Sequence, residues 1–133
     1  MKNKSWLLIL SILYIFIGGC SDKRVSFAEL YNGDLQEITK VTITDGSTGN
    51  LHVIDSPEII SELTRELNNI TFTLLKTNKE EINGVLYGIA FYEDEEEPSV
   101  TMTTNIVGEN VFKTNENLED VFKKYYSLGQ DLE

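Results

Sequence analysis

The chain has 133 residues, 41% hydrophobic and 25% charged, with 22 acidic residues against 11 basic ones and a net charge of −11. Such a surface repels nucleic acid and anionic headgroups. One cysteine and one histidine exclude a disulfide framework and the common zinc sites, and the length suits one domain with a single modest core.

In chain order, the first feature is a leader, Met1 to Cys20. Lys2 and Lys4 form a positive start, and Trp6 to Ile17 is an uncharged, almost wholly apolar run. Gly18 and Gly19 follow, small enough to lie extended in a peptidase cleft. This is the order of an export signal, and the run is too short for a membrane-spanning helix. The positive start keeps the N-terminus inside and sends the remainder across.

The leader's last residues, Ile17-Gly18-Gly19-Cys20, resemble the lipobox of bacterial lipoproteins: an aliphatic residue, two small ones, then cysteine. The resemblance implies cleavage before Cys20 and a diacylglycerol on its thiol. A thiolate is the side-chain nucleophile best suited to thioether formation, and two acyl chains hold stably where one holds marginally. Cys20 then anchors the protein to the outer face of the cell membrane. Every acidic residue follows the leader, so the exported part is more acidic still. It is expected to stand off the bilayer and to touch it only through its lipid.

Residues 20–34 read as the lipidated N-terminus and a tether that is only partly ordered; the alternative is one helical turn of Phe27, Leu30 and Tyr31 docked on the domain. Residues 35–129 read as a single domain. Thr39, Val41 and Ile43 alternate with Lys40, Thr42 and Thr44 as a half-buried strand, and Leu51 to Ile54 returns as the second arm of a hairpin. Ser56 or Asp55 caps a helix that Pro57 and Glu58 open. Ile59, Ile60, Leu63 and Leu67 form its apolar stripe. Strands follow at Ile70 to Leu74, Val85 to Tyr92, Ser99 to Val107 and Val111 to Lys113. The second of these has apolar or small residues on both faces and reads as central. Asn115 or Asn117 caps a last helix with the stripe Leu118, Val121, Phe122 and Tyr125, and Gly129 stops it. Gln130 to Glu133 reads as a frayed tail. The pattern predicts an α+β fold in the order ββ-α-ββββ-α, an antiparallel sheet of about five or six strands with two helices on one face.

The later half carries a second likeness. A strand with Tyr87, Ile89, Phe91 and Tyr92, then an acidic turn, a threonine-rich strand, a short strand and a closing helix resemble small lipoproteins of Gram-positive bacteria. That resemblance implies a cell type and no activity.

Three groups are candidates for chemistry. Glu93, Asp94, Glu95, Glu96 and Glu97 offer carboxylates to Ca²⁺ or to a basic partner. They lack the alternating spacing and glycine of a calcium loop, and the favoured reading is a solvated hairpin tip. His52 lies between Leu51 and Val53 and is expected at a surface or edge. Most aromatics read as core, while Tyr92 and Tyr126 fall off the stripes and are the candidates for a binding surface. No G-x-S-x-G, P-loop, Rossmann glycine pattern or H-E-x-x-H occurs, so no catalytic residue, metal ligand or cofactor is assigned. The expectation is a non-catalytic, membrane-anchored module that binds an envelope or extracellular protein through its free sheet face or acidic tip. The alternatives are cation or small-solute binding at the acidic turn, and a small envelope hydrolase.

Overall fold

Short two-residue strands turn what looks like a six-stranded sheet into a larger one. The structure, a computed structural model, describes residues 22–77, 84, 86–94 and 96–131. The leader, with Ile17, Gly18, Gly19 and Cys20, lies outside the described residues, as do Glu95 and most of the loop after Thr77.

The elements run β1 (Arg24–Val25), α1 (Phe27–Leu30), β2 (Lys40–Asp45), β3 (Leu51–Ile54), α2 (Pro57–Asn68), β4 (Phe72–Leu74), β5 (Tyr87–Tyr92), β6 (Val100–Thr103), β7 (Ile106–Val107), β8 (Asn110–Thr114), α3 (Leu118–Tyr126) and β9 (Gln130–Asp131). Among the described residues they make one nine-stranded sheet in the order β1-β4-β8-β7-β6-β5-β2-β3-β9. Every pairing is antiparallel.

The expected α+β fold with five or six strands and two helices is therefore corrected to a mainly β fold, with nine strands and three short helices among the described residues. Three local events account for the extra strands. Arg24–Val25, inside the segment read as tether, pairs with Thr73 and Phe72. Gln130–Asp131, inside the segment read as frayed tail, pairs with Val53 and His52. The stretch read as one strand from Ser99 to Val107 breaks at Thr104 and Asn105 into β6 and β7. There the Asn105 carbonyl accepts from the Phe112 N–H at 2.7 Å.

The third helix, α1, is a single turn held by a capping box between Ser26 and Glu29. Its reason for existing is Phe27, fully buried, with its ring 5.1 Å from that of Phe91. The longer helices form for the reasons visible in their sequence. Ser56 Oγ accepts from the Ile59 N–H at the start of α2, and Ile60, Leu63, Thr64 and Leu67 are its buried stripe. Asn117 caps α3, which buries Leu118, Val121, Phe122 and Tyr125.

All three helices contribute to one core with Val41, Ile43, Ile54, Ile89, Phe91, Val100 and Met102 from the strands. Because side chains alternate along a strand, that assignment leaves Thr42, Thr44, Gly88, Ala90, Thr101 and Thr103 on the other face of the same sheet. A polar clamp ties the two longer helices together. Lys124 Nζ donates to Glu62 at 3.2 Å and to Glu66 at 2.8 Å, and the Tyr125 hydroxyl donates to Glu66 at 2.7 Å. Lys124 and the Tyr125 hydroxyl hold the Glu66 carboxyl below the usual range, and burial pushes the Tyr125 phenol up to about 12.

Candidate functional site

On the open face, β5 carries two of the smallest side chains, Gly88 and Ala90. Ala90 stands between Thr42 on β2 and Thr101 on β6, and Gly88 between Thr44 and Thr103. Two cross-strand rows result, threonine–alanine–threonine and threonine–glycine–threonine. β-Branched residues suit a pleated surface, and the small central pair lets the surface sink between them. The result is a trough along β5 of about 290 Å³, closed at the β7 end by Ile106 and Gly108. Gly108 has φ +58°, a left-handed turn conformation that glycine takes without steric cost, and it returns β7 into β8.

The lining contains no titratable side chain. It offers hydroxyl donors and acceptors over apolar walls. Thr42 lies at the floor, 8% exposed. Thr103 Oγ1 is buried and has no hydrogen-bond partner, an unmet group of the kind that costs free energy until something bonds it. Above Gly88 the space is open: a methyl there would meet nothing within 4 Å. A neutral group carrying both apolar surface and a hydrogen-bonding atom fits this lining.

The acidic run behaves differently from its composition. Glu93 turns inward and accepts from the Tyr31 hydroxyl at 3.0 Å. It packs so closely on Gly33 that a Cβ there would collide with its carboxylate. Burial, with the Glu93 carboxylate beside it, pushes the Tyr31 phenol up to about 12. Glu93 thus holds the N-terminal segment to the sheet. Asp94, Glu96 and Glu97 are exposed. Among the described residues no three His, Cys, Asp or Glu side chains converge as a metal site.

His52, expected at a surface or edge, is part-buried on β3 beside the edge strand β9. It lies across from Ile43, on the helix-covered side, and its side chain is 17% exposed. Its ring stacks on Tyr126 with centroids 3.8 Å apart and planes at 14°. Nδ1 lies 2.8 Å from the Tyr126 carbonyl oxygen and Nε2 lies 2.5 Å from the Asp131 carboxylate. Gly129 permits this closure, since a Cβ there would stand 2.9 Å from the Cβ of His52. The cluster fastens β9 to β3.

Tyr92 and Tyr126 do not form one surface. Tyr126 is half-buried against the core beside Tyr87. Tyr92 pairs across from Lys40 on the open face, with the Lys40 ammonium 4.2 Å from its ring centroid. The sequence offers the free sheet face as a binding surface but singles out none of the residues that line the threonine trough. Its one visible signal is Gly88 and Ala90 at alternate positions of a strand otherwise built from large residues.

No protein family, curated protein or solved structure matches the chain. Among the described residues no helix is long and apolar enough to cross a membrane.

Proposed function

We propose that this protein is a lipid-anchored, extracytoplasmic and non-catalytic binding module. It takes a neutral segment of an envelope or extracellular protein into the trough along β5. Cys20, acylated at the outer face of the membrane, keeps it within reach of such a partner. The observation that carries the reading is the trough itself: a concave, hydroxyl-lined and uncharged depression in an acidic protein, holding a buried hydroxyl with no partner. A sheet face serving only as a spacer has no need of such a depression. The acidic turn supports a cation site less well, because Glu93 is already committed to Tyr31.

Gly88→Val tests the binding claim, since it fills the trough from a position with free space above it. Envelope proteins cross-linked to the wild type are expected to be lost with Gly88→Val and reduced with Thr103→Val. Equal capture by all three chains, or capture by none, overturns the proposal. Cys20→Ser tests the anchor separately. It is expected to abolish palmitate incorporation and to release the protein from the membrane fraction, and an equally firm association would sink that part.

A further inference from the structure

The β1 edge of the sheet carries a feature that an acidic protein would not be expected to keep. Arg24, Thr73 and Lys113 stand opposite one another on β1, β4 and β8, forming a single row across three strands. Phe72, Leu74 and Phe112 belong to the helix-covered core, so alternation puts this row on the open face. Neighbouring strands are about 4.8 Å apart, which sets the two cationic residues about 10 Å apart. With Thr71 and Asn115 they line a cavity of about 420 Å³, and Asp22 is the one acidic residue in its lining. Asn115 Oδ1 accepts from the Thr71 N–H at 2.8 Å, which leaves its Nδ2 amide free to donate. Arg24 and Lys113 make no ion pair among the described residues, whereas Lys124 on the other face is held by two carboxylates.

Covalent geometry says where this cavity sits in an anchored molecule. Arg24 is four residues after Cys20, and an extended chain spans at most ~3.5 Å per residue. A lipid on Cys20 would therefore hold the β1 edge within about 14 Å of the headgroups. Interactions between exposed charges are screened over about 8 Å at physiological salt. At that distance the local pair of cations matters more than the net charge.

We propose that the Arg24–Thr73–Lys113 row is a docking surface for the anionic phosphate headgroups of the bilayer in which the protein is anchored. The guanidinium and the ammonium supply charge, and the Thr73 and Asn115 side chains supply neutral donors to phosphate oxygens. The inference rests on the anchor reading above and revises the expectation that the domain touches the membrane through its lipid alone. Docking at this edge leaves the trough free. β5 lies four strand spacings from β4 in the sheet order, about 20 Å away.

The test uses lipidated full-chain product reconstituted into vesicles of phosphatidylcholine, or of phosphatidylcholine with an equal amount of phosphatidylglycerol. A water-soluble acetylating ester reads lysine exposure by mass spectrometry, with the exposed Lys123 on α3 as internal reference. Labelling of Lys113 relative to Lys123 is expected to fall about fivefold on the anionic vesicles, the scale of one cation at a charged surface, and to recover in high salt. Arg24→Gln is expected to weaken that protection. An unchanged Lys113 ratio, or full protection in Arg24→Gln, overturns the inference. Palmitate labelling of the same preparation reports the anchor independently. If no palmitate enters, the anchor reading fails. Coupling Cys20, the chain's only cysteine, to a maleimide lipid then allows the same comparison, with the same results counting for and against docking.

Discussion

The two faces of this sheet are made by the same strands and obey different rules. On the helix-covered face β5 presents Ile89 and Phe91, 2% and 0% exposed, into a core shared with all three helices. On the open face it presents Gly88 and Ala90, and their neighbours are threonines, of which Thr103 has a buried hydroxyl with no partner. Large apolar side chains on the first face supply the stability that allows small and polar ones on the second. Recognition can therefore be placed on a rigid element rather than on a loop.

The sharpest way to break this division is to empty the covered face. Phe91→Ala removes a fully buried ring that meets Phe27 and Tyr31. It is expected to cost about 3–5 kcal/mol, measured by urea unfolding. For a domain with a single modest core that is a large fraction of its total stability.

A smaller effect is expected where the covered face is tied together by polar groups. Tyr125→Phe deletes the hydroxyl that donates to Glu66 and is expected to cost about 1–2 kcal/mol. The same substitution changes the alkaline behaviour. Tyr31 and Tyr125 titrate at about 12 in the folded protein, above the phenol value near 10 in an unfolded chain. Their contribution is complete below pH ~10 and is lost as pH rises through the folded values, because the unfolded chain gives up its phenol protons first. Urea midpoints on either side of pH ~10 should fall for the wild type and fall less for Tyr125→Phe.

The smallest effect on stability is expected on the open face. Gly88→Val adds a β-branched side chain into free space on a strand, and its unfolding free energy should stay within about 0.5 kcal/mol of the wild type. A variant that keeps its stability and loses its partner separates the two faces experimentally. A loss of several kcal/mol would show that the open face also carries the fold.

Much of the covered face can be read from local pattern. The α2 stripe at Ile60, Leu63 and Leu67 and the cap at Ser56 are written at helical spacing, and Val41 and Ile43 alternate as a strand should. The edges cannot be read this way. Arg24–Val25 and Gln130–Asp131 are two residues each, too short to show a period of two. Their partners, Phe72–Thr73 and His52–Val53, are distant in the chain. Composition marks the acidic run but not the inward turn of Glu93, which depends on Tyr31 being brought beside it from another element. His52 escapes local reading for the same reason. Alternation sets it opposite Leu51 and Val53, but only the arrival of α3 and β9 makes that side the packed one.

The amino-acid sequence by itself determined the two longer helices, the β5 strand and the acidic composition, because each is a property of neighbouring residues. Tertiary structure alone decided which threonines flank Gly88 and Ala90, and that Arg24 and Lys113 share a row. Those are facts of strand order and register, and antiparallel pairing brings together residues that no local period relates.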